Sequence, residues 1–183
     1  MARIVNIPNV KTIRAKVIQE RLPAGVSRVV CLSCGNATRA LEQVLKGVQV
    51  VGIDPRSPVA VNREITVDDI WRFFGPDCFN ATSGYLPMDW IEAIGPRLKP
   101  FIPEANRYYV PVGSGETMLA LSCFIPLSRL IGVTATYPPL TMMGPLSRWL
   151  HNNAHIHHAG RVDSVAAALN LVARKEGVAL CWE

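Results

Sequence analysis

A stretch of small residues, 113–117, places the strongest constraint on how this chain folds. It reads Gly-Ser-Gly-Glu-Thr and follows an aromatic and β-branched run at 107–112 that predicts a buried strand. Residues 118–125 then predict a helix that stops at a proline. A strand that turns through glycines into a helix start leaves backbone N–H groups unpaired, and such groups bind phosphate. Ser114 and Thr117 would add hydroxyl donors, and the alternative is an ordinary strand-to-helix turn.

A strand–loop–helix–strand unit nearer the N-terminus predicts the fold class. Residues 28–33 read as a buried strand, 39–46 as a helix and 48–54 as a second strand. Such a unit implies a parallel sheet with a right-handed crossover. We therefore expect an α/β fold, with an open, mostly parallel, twisted sheet and helices on both faces. The ligand-facing loop would be residues 33–37, at the carboxyl end of the first strand.

The first helix carries a lysine in an unusual place. Asn9 reads as its N-cap, and apolar residues recur on one face as far as Arg21. Lys11 falls in the first turn, where the helix dipole and burial both disfavour a charged amine. A lysine kept partly neutral suits Schiff-base chemistry. The alternative is a solvated lysine on a helix surface.

The remaining pattern predicts one compact domain over 1–183, with 55–106 as a reduced small lobe or lid. Further predicted helices are 67–74, 88–98, 143–150 and 164–175, the last capped by Asp163, and further predicted strands are 129–134, a short one near His155, and 178–182.

Composition bears on the core, the type of ligand and the cellular compartment of the protein. Apolar residues make up 49% of the chain, enough to bury a core. The net charge of +5 suggests an anionic ligand or nucleic acid, although a slight Lys and Arg excess is the simpler explanation. No run approaches the ~18 apolar residues that span a bilayer, and the start lacks a signal-peptide core. Five scattered cysteines indicate a reducing cytoplasm.

Together these motifs resemble the fold-type II pyridoxal-phosphate (PLP) enzymes, the family of cysteine synthase, threonine synthase and the tryptophan synthase β chain. The family's glycine-rich phosphate loop is similar to residues 113–117. Its S-G-N loop is similar to residues 34–37, and its lysine-bearing helix start is similar to residues 9–14. The motifs occur in the family's order and cover most of the chain.

The resemblance implies a PLP cofactor, a reduced fold-type II fold and a role for each matched residue. Lys11 would carry PLP and, once freed, act as general acid or base. Asn36 would contact the 3′-oxygen of PLP. The phosphate would lie on Gly113, Ser114, Gly115, Glu116 and Thr117, and the substrate on Ser33, Cys34, Gly35, Ala37 and Thr38.

The implied activity is that of a lyase or transferase reacting at Cα of an amino-acid group, by decarboxylation, elimination or replacement. The implied assembly is a homodimer. The small size and basic balance also resemble phage PLP enzymes that remodel amino acids attached to thymine in DNA, which would place the protein in the host cytoplasm. A free amino acid is the other expected substrate, and no membrane partner is expected.

Three positions depart from the family pattern. Glu116 replaces a glycine, and we expect its carboxylate to point away from the phosphate. Cys34 replaces a serine. The hydroxyl that normally meets the pyridine nitrogen is missing, and Cys181 or Glu183 would have to substitute.

Two other functions fit parts of the sequence. Residues 29–37 followed by 50–54 resemble the glycine loop and ribose-binding acid of class I S-adenosylmethionine methyltransferases. A non-catalytic binding protein with the PLP fold is the second alternative. Cys31 and Cys34 form a C-x-x-C, but the four histidines lack a zinc-finger spacing, so no metal site is predicted.

Overall fold

The computed structural model describes residues 3–33, 35–53, 75–134, 145–158 and 177–181. Within these ranges the strands form two sheets, and every described strand pair is parallel. Helices alternate with the strands along the chain. The α/β class and the parallel pairing predicted from the sequence are confirmed.

The larger sheet has five described strands in the order β1-β8-β5-β6-β7, and the smaller has three in the order β3-β2-β4. The strands are β1 (Arg3–Asn6), β2 (Arg28–Cys31), β3 (Gln49–Gly52), β4 (Cys78–Asn80), β5 (Tyr108–Pro111), β6 (Leu130–Thr134), β7 (Ile156–His158) and β8 (Val178–Cys181). The larger sheet therefore joins chain segments that are far apart in sequence, since Arg3 aligns with Val178.

The described helices are α1 (Val10–Arg21), α2 (Asn36–Val44), α3 (Met88–Leu98), α4 (Glu116–Ser122) and α5 (Pro145–Asn153), with single turns at Lys99–Phe101 and Leu127–Arg129. Helix α1 packs against α2 and α3, and α3 packs against α4. One apolar cluster includes Val29 of the smaller sheet and Val110 of the larger. The first helix thus lies where elements of both sheets meet.

Element boundaries differ from the sequence predictions in instructive ways. Asn9 does occupy the N-cap of α1, but its φ is 59° and its side chain makes no capping hydrogen bond. Helix α2 begins at Asn36, inside the predicted loop. Helix α4 begins at Glu116, within the glycine stretch, and has seven residues. The helix predicted at 88–98 is observed with the same bounds, Met88–Leu98.

Several predictions fall on residues outside the described ranges. These are the substrate-loop residue Cys34, the end of the second strand at Asp54, the helices at 67–74 and 164–175, and the pyridine-nitrogen candidate Glu183. The single-domain organisation and the small lobe at 55–106 stay predictions. No helix in the described part of the chain has the length and apolar character needed to cross a membrane.

Candidate active site

A cavity of about 190 Å³ lies between helix α1 and the stretch that follows β5. All five residues of the predicted phosphate loop line it, together with Lys11. The complete lining is Val10, Lys11, Arg14, Ser83, Ile94, Pro111, Gly113, Ser114, Gly115, Glu116 and Thr117. The structure therefore brings the predicted cofactor lysine and the predicted phosphate loop to one place, although they are far apart in the sequence.

The loop can follow this path only because of one glycine. Gly115 has φ of +85°, in the left-handed region that residues with a side chain rarely adopt. A Cβ at Gly115 would lie 2.2 Å from Cδ2 of the buried Leu150. A Cβ at Gly113 would meet no atom within 4 Å. Glycine is thus required at position 115 by both backbone and packing, while position 113 is open on the cavity side.

Lys11 lies in the first turn of α1 and is partly buried. Within the described ranges its amine has no hydrogen bond or ion pair. Burial lowers the pKa of Lys11 from its ordinary 10.5, and the charge of Arg14 lowers it further, against smaller opposing effects of Glu116 and Cys31. An amine that is easily deprotonated and has no partner is available as a nucleophile.

Glu116 forms a buried ion pair with Arg14. Both residues are only 4% exposed, and the Nε of Arg14 donates to Oε1 of Glu116. Arg14 Nη2 also donates to Oε2 of Glu116 at 3.3 Å and to the carbonyl of Ala81 at 2.6 Å. The backbone N–H of Gly84 donates to Oε2 of Glu116 at 3.0 Å. Burial acts to lower the pKa of Arg14, but the charge of Glu116 and its hydrogen bond outweigh burial and raise that pKa, so Arg14 keeps its positive charge beside the Glu116 side chain.

A second cavity, of about 400 Å³, shares only Lys11 with the first. Polar side chains dominate its lining, which consists of Asn6, Ile7, Pro8, Asn9, Lys11, Thr12, Asn36, Arg39, Ala40 and Gln43. The side-chain oxygen of Asn36 accepts a hydrogen bond from Nη2 of Arg39 at 3.0 Å. Asn36 and the glycine loop thus lie on different cavities that meet at Lys11.

Three of the predicted substrate residues, Ser33, Gly35 and Thr38, are joined by hydrogen bonds. Thr38 donates its hydroxyl to the carbonyl of Ser33, and the backbone N–H of Gly35 donates to Oγ of Ser33 at 3.2 Å. Ser33, Gly35, Ala37 and Thr38 line neither of the two cavities. Their substrate-binding role, like the roles of the other predicted site residues, stays a prediction.

In the part of the chain that is described, no cluster of three or more His, Cys, Asp or Glu residues could hold a metal ion, so no further ligand lies beside the C-x-x-C pattern there. Cys31 is buried, as its strand pattern predicts, and burial raises the pKa of its thiol. A thiol that resists deprotonation is a poor nucleophile, so Cys31 acts as a core residue.

Sequence reasoning missed Arg14, Ser83 and Ile94 in the first cavity and Arg39 in the second. A signal for Arg14 did exist. Glu116 stands in an otherwise small and apolar stretch, and a buried carboxylate requires a cation. The sequence does not say which of the chain's 19 Lys and Arg residues supplies it.

The chain was compared with known proteins by sequence and by structure, and only the structural comparison found similar proteins. No protein-family model and no curated protein matches the sequence. A threonine deaminase from T.th. matches with a TM-score of 0.57 and 15% identity, over 93% of this chain and 79% of its own. A pyridoxal 5′-phosphate-dependent aspartate racemase matches with a TM-score of 0.55 and 13% identity, over 93% of this chain and 78% of its own. The chain has the fold of the fold-type II PLP enzymes.

The residues around the first cavity fit PLP. An unpaired amine of lowered pKa can bond to the aldehyde, and the glycine stretch supplies backbone N–H groups with the hydroxyls of Ser114 and Thr117 for the phosphate. Glu116 brings no uncompensated negative charge, because Arg14 neutralises it. The pyridine nitrogen is the incomplete part: Cys181 lines neither cavity, and Glu183 lies outside the described residues.

Proposed function

We propose that this protein is a PLP-dependent enzyme that reacts at Cα of an amino-acid group. One observation carries the proposal: Lys11, an amine without a partner in the described structure and with a lowered pKa, borders a cavity lined by every residue of the stretch 113–117. The fold agrees with it, since the aspartate racemase of similar fold is PLP-dependent by name.

The roles of the residues follow from their chemistry. Nζ of Lys11 would hold the cofactor covalently, and the N–H groups and hydroxyls of residues 114–117 would hold its phosphate. When bound, PLP supplies an electron sink that stabilises negative charge at Cα of the substrate. Displaced by the substrate amine, Nζ of Lys11 would move the proton at Cα. The second cavity, which Lys11 also lines, would admit the substrate past Asn36 and Arg39.

The reaction that follows at Cα is proposed to be of the lyase or transferase type, in a homodimer. Two proteins of similar fold are a threonine deaminase and an aspartate racemase, and each name specifies an amino acid. A free amino acid therefore has support from the fold. The finer proposal of an amino acid carried on modified phage DNA is supported only by the net charge of +5 and the small size.

Borohydride reduction of the purified protein, followed by peptide mapping, tests the proposal. The pyridoxyl label should lie on Lys11 and disappear in Lys11→Ala. Lys16→Ala is the matched control, because Lys16 lies on the same helix but is exposed, and it should keep the label. A label on another lysine would remove the assignment to Lys11. If the protein binds PLP but borohydride leaves no label, the non-catalytic alternative would be favoured. If calorimetry shows that S-adenosylmethionine binds, the methyltransferase alternative would be favoured.

A salt series distinguishes the two substrate classes. If the substrate is carried on DNA, duplex affinity should fall with a log–log slope of about −0.9 for each phosphate contact, or about −3 to −4 for three to five contacts. Turnover of free amino acids is measured in parallel. Turnover of a free amino acid without duplex binding at low salt would retire the DNA substrate and leave the PLP proposal intact.

A further inference from the structure

The buried ion pair of Arg14 and Glu116 joins three chain segments around the first cavity. Arg14 lies three residues after Lys11 on α1, and Glu116 is the first residue of α4. Between them runs the segment after β4, which Arg14 contacts at the carbonyl of Ala81 and Glu116 contacts at the N–H of Gly84. The lysine helix, this connecting segment and the glycine stretch are thus bonded to one another by two side chains.

Such a pair is not explained by stability alone. Apolar residues of similar volume often replace a buried ion pair with no loss of stability, whereas removal of one partner leaves an uncompensated charge. Here each partner has a further backbone bond, so the pair also fixes distances between segments. The segments it fixes are those that border Lys11 and the predicted phosphate loop.

The charges that face Lys11 come from several elements. Arg14 acts from the same helix and Glu116 from α4, while Arg39 of α2 lines the second cavity with Lys11; the titratable thiol of Cys31 on β2 also faces Lys11 but resists ionisation. Arg14 favours the neutral amine of Lys11, and Glu116 opposes it. Without Glu116, therefore, Lys11 would experience the full positive charge of Arg14.

We propose that Arg14 and Glu116 form a positioning pair that holds Lys11 against the glycine stretch and limits the effect of the Arg14 charge on the Lys11 amine. The inference deepens the proposed function by assigning a role to the glutamate at a position where the resembling family has glycine. It rests on the proposed function only where it treats Lys11 as the reactive amine, because the relation between the charges holds without PLP.

The test measures how Lys11 titrates. The full-length protein is treated with hydroxylamine to free any modified lysine, and its reactivity with trace acetic anhydride is followed against pH by peptide mapping. Glu116→Gln should lower the midpoint of the Lys11 profile by about one pH unit, a tenfold change in the acid dissociation constant, at the low end of what one nearby charge produces. Arg14→Gln should raise the midpoint, and the double variant should have a midpoint between those of the two single variants and above the native value, because Arg14 has the larger effect.

Glu20→Gln is the matched control for the loss of one negative charge. Glu20 lies on the same helix and accepts hydrogen bonds from Arg97 at 2.9 and 2.5 Å, but it is exposed. This variant should leave the Lys11 midpoint unchanged. Equal midpoints in Glu116→Gln and native protein would overturn the inference, and so would an equal shift in Glu20→Gln.

Amide hydrogen exchange of the native protein tests the positioning itself and needs no variant to fold. The N–H of Gly84 should be protected, because the Glu116 carboxylate accepts it, and fast exchange there would refute the arrangement. The borohydride experiment separates the two proposals. A midpoint shift without a pyridoxyl label on Lys11 would keep the positioning pair and reject the PLP function, and a label without a shift would do the reverse.

Discussion

Replacement of Gly115 by alanine should destabilise the protein through two separable effects. The first is conformational, since an alanine at φ of +85° costs about 1–2 kcal/mol. The second is steric, since the new Cβ would lie 2.2 Å from Cδ2 of Leu150, and overpacking of a core costs about 1–3 kcal/mol. Leu150 is fully buried and has little room to move. The expected loss is therefore about 2–5 kcal/mol in the free energy of unfolding.

Gly113→Ala provides a control in the same stretch, because its Cβ would meet no atom within 4 Å and its φ lies outside the left-handed region. Urea denaturation should show a change within about 1 kcal/mol for this variant. Gly115→Ala should also lose PLP on dialysis more readily than Gly113→Ala, since the phosphate loop must shift to relieve the contact.

A double-mutant cycle separates the two effects. Leu150→Ala removes the atom that the new methyl group would meet. In the Leu150→Ala background, Gly115→Ala should therefore cost about 1–3 kcal/mol less than in the native background, and the cost that remains is the conformational one. The reasoning would be refuted if Gly115→Ala were as stable as Gly113→Ala, or if the coupling were zero.

Three further predictions concern single positions in the described part of the chain. Glu116→Leu should lower the free energy of unfolding by about 3–5 kcal/mol in urea, because it leaves Arg14 charged and buried, whereas Glu20→Leu, at an exposed position, should leave it nearly unchanged. The pKa of Lys11 is lower in the folded protein than in the unfolded chain, so a protonated Lys11 destabilises the fold. This destabilisation is complete at pH values below the folded-state pKa and disappears at pH values above the ordinary pKa of 10.5. Lys11→Met should therefore be the more stable protein at neutral pH, and in urea titrations the difference should close with rising pH by at most about 1.4 kcal/mol per unit. Gly52→Ala should cost about 1–3 kcal/mol in thermal or urea unfolding, because its Cβ would lie 2.7 Å from the carbonyl oxygen of Ser33.

The sequence was informative where structure depends on near neighbours. The helices at 10–21 and 88–98 and the strand before the glycine stretch follow from local periodicity and from glycine and proline positions. That Lys11 and residues 113–117 share a cavity came from the order of motifs in the resembling family, because no local rule relates residues so far apart.

The sequence could not predict which residues and strands contact each other over long sequence distances. Strand patterns do not reveal which strands pair, so the division into two sheets, β3-β2-β4 and β1-β8-β5-β6-β7, was not foreseen. The choice of Arg14 as the partner of Glu116 likewise depends on how α1 packs beside α4. The Asn9 cap shows the same limit, because the sequence does not reveal that its backbone is left-handed and that its side chain makes no capping hydrogen bond.

The pairing of β1 with β8 sets an order for synthesis and folding. All three described strands of the smaller sheet are available once residue 80 has left the ribosome, but the neighbour of β1 in the described sheet begins only at Val178. At about 5–20 residues per second, the intervening stretch of roughly 100 residues takes about 5–20 s to make. Throughout that time β1 lacks the strand that it pairs with in the described sheet, and its Ile4, still 55% exposed after folding, is open to other chains. Newly made protein should thus be most prone to aggregate just before translation reaches β8, and a chaperone that covers β1 would act in that interval.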